Sequence, residues 1–120
     1  MAKKLKTKKT HEVIFILPDG SLFPDPIELD PTGKKHSSRI SWQATDVTKN
    51  YELVFDSPPG PFSAGDIPIL TDTSGTDLGG STAVLTVKDG TGNGSFGYSA
   101  VLKLLGRRRR LSGDSIIVDA

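Results

Sequence analysis

Four consecutive arginines are the main candidate for chemistry in this 120-residue chain: Arg107, Arg108, Arg109 and Arg110. The sequence places them in a loop before the last strand, where the run repels itself unless acidic groups or a partner offset its charge. A second basic group lies in the first ten residues, which contain five lysines and lack acidic residues. The lysines are Lys3, Lys4, Lys6, Lys8 and Lys9. Guanidinium and ammonium groups bind phosphates and carboxylates, so both groups are candidate sites for an anionic partner.

The rest of the chain bears on which kind of partner these cations bind. Residues 11–106 carry six basic and twelve acidic residues, a balance of −6. No aromatic residue adjoins the arginines, whereas proteins that bind single-stranded nucleic acid stack bases on aromatic side chains. The sequence therefore favours a protein partner, with nucleic acid or another anion as the alternative. Arg109–Ser112 also matches the short pattern of a basophilic kinase site.

Few residues are available for catalysis or for metal binding. The absence of cysteine excludes disulfides, thiolate metal sites and cysteine nucleophiles, and no G-x-S-x-G or H-E-x-x-H motif occurs. His11 and His36 are interpreted as surface histidines, and the sequence predicts no enzyme activity, no cofactor and no metal site. Two alternatives stay open. One is a serine–histidine–carboxylate arrangement around either histidine, and the other is calcium at Asp72–Asp77 or Asp89–Gly94, which turn formation explains more simply.

Short apolar segments separated by proline and glycine predict an all-β fold. The predicted strands are His11–Leu17, Ile27–Leu29, Arg39–Ala44, Tyr51–Phe55, Thr82–Val87, Phe96–Leu105 and Ser115–Val118. Proline flanks Ile27–Leu29 and places it at a sheet edge, and the glycines of Asp89–Gly94 predict a hairpin. Seven or eight such strands indicate an antiparallel Greek-key β-sandwich or barrel. The aromatic residues of the predicted core are Trp42, Tyr51, Phe55, Phe96 and Tyr98.

The composition divides the chain into a flexible basic tail, residues 1–10, and a single domain, residues 11–120. Residues 56–81 form a long connection rich in proline and glycine. The apolar stretch Val13–Leu17 is too short for a signal peptide, and no run approaches the ~20 residues needed to cross a bilayer. The default expectation is a cytoplasmic chain, although a signal removed beforehand would leave the compartment open.

Three segments resemble the cupredoxin (plastocyanin-like) family. Ile40-Ser-Trp-Gln followed by Tyr51–Phe55 is similar to the family's V-x-W-x-N strand and the strand that begins with its first copper-binding histidine. Gly94–Ala100 is similar to the glycine–aromatic strand that delivers the copper thiolate, and Gly113–Asp119 to the closing strand. The resemblance spans roughly residues 26–120 and implies a cupredoxin-like sandwich.

The same resemblance implies that the copper ligands are missing. Tyr51 stands at the position of the first histidine and Ala100 at that of the cysteine. Type 1 copper needs a thiolate and two imidazoles, so copper electron transfer is excluded on the chemistry of the residues present. The sequence therefore predicts a non-enzymatic interaction or structural module, which binds a macromolecular partner through its loops or its basic tip.

Overall fold

The structure, a computed structural model, describes residues 11–24, 26–46, 48–71, 80–104 and 106–120. The basic tail and the Asp72–Asp77 turn lie outside the described residues. Within those ranges the chain forms nine strands and one 3₁₀ turn, Ala64–Asp66. The strands are β1 (Glu12–Ile16), β2 (Leu22–Phe23), β3 (Ile27–Leu29), β4 (Arg39–Ala44), β5 (Asn50–Phe55), β6 (Ile69–Leu70), β7 (Leu85–Thr86), β8 (Gly94–Leu104) and β9 (Arg107–Val118).

The all-β class is confirmed, but the prediction of purely antiparallel pairing is wrong. A first sheet has the order β2-β1-β4-β7 and a second has the order β3-β9-β8-β5-β6. β1 runs parallel to β4, and β3 runs parallel to β9. Parallel neighbours need a crossover, which the intervening strands supply here. Strand direction leaves no trace in an alternating pattern, so the sequence contained no signal for it.

Most predicted strands lie where the alternation placed them. Ile27–Leu29 and Arg39–Ala44 agree with β3 and β4 residue for residue, and β3 lies at the edge of its sheet as expected. The predicted count of seven or eight is too low because β2 and β6 have only two residues each, too few to show a period. The predicted strand Thr82–Val87 shortens to β7.

The hairpin predicted at Asp89–Gly94 is wrong. The strand before it, β7, pairs with β4 in the first sheet, whereas the strand after it, β8, pairs with β5 and β9 in the second. The turn therefore carries the chain from one sheet to the other. Gly90 has φ +82°, so the positive backbone angle that suggested the hairpin is present, and it serves a connection between layers instead.

An aromatic cluster fills the interior. Trp42 is fully buried and meets Tyr98 edge-on, with the ring centroids 5.6 Å apart. The indole N–H of Trp42 donates a hydrogen bond to the Tyr98 hydroxyl at 3.1 Å. Phe62, which the sequence analysis did not single out, completes the cluster against Trp42 and Phe55. The predicted aromatic core is confirmed, with Phe96 partly buried at its margin.

Candidate functional site

The arginine run lies in a strand, so its prediction as a loop is wrong. β9 begins at Arg107 and pairs antiparallel with β8, with Leu104 opposite Arg107. Only residues 105 and 106 separate the two strands, and Gly106 has φ +79°. Four identical charged residues have no hydrophobic period. The sequence therefore gave no strand signal, and pairing with β8 settles their conformation.

A β-bulge determines which way each arginine points. The register of β8 and β9 shifts between Ser99 and Val101, with one extra residue on β9. Beyond the shift, Arg110 lies opposite Val101 and Arg108 opposite Lys103. Neighbouring residues of a strand point to opposite faces, so the four arginines divide into two pairs instead of forming one basic tip. Arg108 and Arg110 lie on the outer face of the second sheet, whereas Arg107 and Arg109 lie on the face that continues the core side.

A depression on the outer face is lined by Arg108 and Arg110, each of which also forms an ion pair with an acidic residue. It has a volume of about 280 Å³ and is lined by Val54, Val101, Arg108 and Arg110. The guanidinium of Arg108 lies 2.8 Å from the carboxylate of Glu52 on β5. That of Arg110 lies 3.9 Å from Asp56, just beyond the end of β5. We call this the outer arginine site.

Both arginines of the outer arginine site are exposed to solvent, but of their partners Asp56 is 67% exposed and Glu52 only 21% exposed. The side chains of Arg108 and Arg110 are 55% and 63% exposed. Exposed ion pairs of this kind contribute about 0–1 kcal/mol each. A carboxylate from outside therefore competes with Asp56 on similar terms, whereas Glu52, which is more buried and lies 2.8 Å from Arg108, is the harder of the two acids to displace.

The five N-terminal lysines lie outside the described residues, so they join no site here. Tyr51 and Ala100, at the positions of the family's copper ligands, are both buried in the core. Ala100 lies opposite Leu53, and Tyr51 lies opposite Leu102 on the same pair of strands. Burial raises the pKa of the Tyr51 phenol, and the Asp46 carboxylate raises it further. A neutral phenol and a methyl group occupy these positions.

A second group of polar side chains has no counterpart in the sequence analysis. His36 Nε2 lies 3.7 Å from a carboxylate oxygen of Glu28 and 3.5 Å from one of Asp119. The parallel pairing of β3 with β9 brings the two acids together, since Glu28 lies on β3 and Asp119 directly follows β9. His36 comes from the loop between β3 and β4. No spacing in the sequence connects these three positions, so only the tertiary structure reveals the group.

The loop that carries His36 is held by the buried carboxylate of Asp30. Its two oxygens accept hydrogen bonds from the backbone N–H groups of Thr32, Lys34 and Lys35 and from the Thr32 hydroxyl. The Thr32 hydroxyl, followed by the Lys35 N–H, holds the pKa of Asp30 well below its usual range. The Asp30 N–H donates to the carbonyl of Ser37 and closes the loop.

The serine next to His36 bears on the alternative of a serine–histidine–carboxylate arrangement, because its hydroxyl is engaged with the backbone. Ser37, the adjacent serine, uses its hydroxyl in contacts with the backbone of Arg39, at 3.2 Å as donor and 3.1 Å as acceptor. His36, interpreted from the sequence as a surface histidine, is half-buried. Its side chain is only 26% exposed, and its Nε2 atom is buried.

No protein-family model, curated protein or solved structure matches this chain. Within the described ranges, no helix has the length and apolar character that crossing a bilayer requires.

Proposed function

We propose that this protein is a non-enzymatic β-sandwich interaction module that binds an acidic segment of a protein partner at the outer arginine site. The observation that carries the proposal is the depression on the outer face. Two apolar residues, Val54 and Val101, line it together with Arg108 and Arg110.

The chemistry of this depression suits a glutamate or aspartate side chain. A guanidinium presents a planar fork of N–H donors that matches the two oxygens of a carboxylate. The valines offer apolar contact to the methylene groups of the same side chain. Glu52, which reaches Arg108 at 2.8 Å, is an internal example of the ligand that the site would take.

Nucleic acid is the alternative partner, and one observation favours it. All four arginines are exposed, so both faces of the hairpin offer positive charge to a phosphate backbone. Against it, Glu52 and Asp56 add negative charge to the outer face, and they repel phosphates that track along it.

The cupredoxin-like fold stays part of the proposal. Two features of the β-sandwich support it. Tyr51 and Ala100, the positions matched to copper ligands, lie on neighbouring strands and on the same buried face. The segments that resemble the family's thiolate-bearing and closing strands, Gly94–Ala100 and Gly113–Asp119, pair with each other along β8 and β9.

The test measures binding of a labelled oligoglutamate peptide by fluorescence anisotropy at several salt concentrations. We expect the dissociation constant to rise with salt, because exposed charges are screened. The double variant R108S/R110S should weaken binding by about 10-fold, since each exposed contact contributes up to ~1 kcal/mol. The matched control is R107S/R109S, which removes the same charge from the same strand on the opposite face and should weaken binding less.

A gain-of-binding variant sharpens the test. E52Q frees Arg108 from its internal partner and should tighten peptide binding by about 1.5- to 5-fold, the equivalent of an ion pair of about 0.2–1 kcal/mol. D89N, the same change of charge in the connection between the sheets, serves as its control. Equal losses in the two arginine variants, or no gain in E52Q beyond D89N, would refute the outer arginine site. Tighter binding of a DNA oligonucleotide than of the peptide would favour the alternative.

A further inference from the structure

Three potential metal ligands converge at the end of the sandwich where β3 and β9 finish. The side chains of Glu28, His36 and Asp119 each offer one donor atom, and these atoms all lie within 4.8 Å of one another. We propose that they form a binding site for a divalent transition-metal ion of the Zn²⁺ class, independent of the outer arginine site.

The imidazole nitrogen at the centre of the group points to a missing ligand. His36 Nε2 is buried, and among the described residues it makes no hydrogen bond of ordinary geometry, although the carboxylates of Glu28 and Asp119 are its polar neighbours. A buried polar atom without a partner is costly, so most such atoms in folded proteins are satisfied by protein, water or an ion. The carboxylate oxygens lie at 3.5 and 3.7 Å, beyond ordinary hydrogen-bond distance.

Those same distances suit coordination to one ion. Zn²⁺ bonds to nitrogen and to carboxylate oxygen at about 2.0–2.2 Å, and tetrahedral geometry then places neighbouring donors roughly 3.3–3.6 Å apart. The distances from His36 Nε2 to Glu28 and Asp119 lie at or just above this range. Imidazole selects transition metals over calcium and magnesium, which prefer oxygen ligands throughout. Water would supply the fourth ligand.

The donors are held by backbone structure formed without any ion. Asp119 N–H donates to the Leu29 carbonyl at 2.9 Å and continues the parallel pairing of β3 with β9. On the His36 side, the Asp30 carboxylate closes the loop, with the Lys35 N–H at 2.7 Å. A site built on such fixed segments loses little conformational entropy when it binds.

Lys35 is the main opposing charge. Its ammonium lies 3.2 Å from Asp119 Oδ1, whereas His36 faces the other oxygen, Oδ2. Asp119 can therefore keep the lysine on one oxygen and offer the second to a metal. The rival explanation is that a protonated His36 is itself the cation between the two acids, which predicts no metal binding.

The experiment titrates the full chain, freed of metal, with Zn²⁺ alone by isothermal calorimetry at neutral pH. We expect one ion per chain. H36Q should weaken Zn²⁺ binding by at least about 10-fold. Removing a residue that merely supports a metal ligand already costs about that much affinity, and His36 is proposed as a ligand itself. H11Q, which removes the chain's other histidine, is the matched control and should bind as the wild type does.

A spectroscopic readout and a second variant keep the test decisive. Zn²⁺ should shift the ring-proton NMR resonances of His36 and leave those of His11 in place. E28Q alters a side chain that is 51% exposed on an edge strand and should weaken binding even if H36Q fails to fold. The absence of stoichiometric binding would overturn the proposal, as would adventitious binding that H36Q and E28Q leave unchanged.

Discussion

The hydrogen bond between Trp42 and Tyr98 gives the sharpest test of the core. The variant Y98F keeps the ring that packs 5.6 Å from Trp42 and 5.3 Å from Phe55, and it removes the hydroxyl that accepts the indole N–H at 3.1 Å. Trp42 is fully buried, so its N–H loses its protein acceptor without gaining water. An unsatisfied buried donor costs about 1–3 kcal/mol.

That cost should appear in thermal unfolding. With an unfolding entropy of about 2.1 cal/mol/K per residue, a loss of 1–3 kcal/mol in this 120-residue chain corresponds to a fall in Tm of about 4–12 °C. Calorimetry and urea unfolding of wild type, Y98F, W42F and the double variant measure the coupling. Once Trp42 is gone, replacing Tyr98 should cost at least about 1 kcal/mol less than in the wild type. A Y98F protein within ~0.5 kcal/mol of wild type, with additive effects in the cycle, would refute the reasoning.

Two further predictions concern a turn and a buried carboxylate. G20A should destabilise the protein by at least about 1 kcal/mol more than G33A in urea unfolding. Both glycines have positive φ, but a Cβ at Gly20 would lie 2.8 Å from Leu111 Cβ, whereas a Cβ at Gly33 meets nothing within 4 Å. Equal losses of unfolding free energy in G20A and G33A would contradict this packing. D30N should flatten the dependence of stability on pH below about 4, the ordinary pKa of aspartate. The hydrogen bond from the Thr32 hydroxyl lowers the pKa of Asp30 in the folded protein. The ionised carboxylate therefore makes its full contribution to stability above the ordinary pKa of aspartate, and that contribution is lost as the pH falls through the lower pKa of the folded state. Urea unfolding at a series of pH values measures this, and parallel curves for wild type and D30N would show the idea wrong.

The sequence located most of the strands because side-chain alternation is a local property. In β4, Ile40, Trp42 and Ala44 share one face, and all three are buried as their period of two predicts. Glycine and proline likewise marked the turns, as at Gly90, where a positive φ is present. Those signals sufficed for the all-β class and for the aromatic core.

Both candidate sites depended on relations that no local pattern records. The direction of β3 beside β9 places Asp119 near Glu28, and the closure of the Asp30 loop adds His36. Alternation along β9 separates Arg108 and Arg110 from their neighbours, and the bulge decides that this pair lies on the outer face.

Composition and alternation thus determined most of the segments that form strands, most of the aromatic side chains that fill the interior and the residue types present for chemistry. The tertiary structure alone decided which strands are neighbours, in which direction they run and with what register. The physical reason is that backbone hydrogen bonds between strands are the same for every residue type, so any two strands can pair. The choice among partners comes from packing the whole set of apolar faces at once, and the positions of the charged side chains follow from that choice.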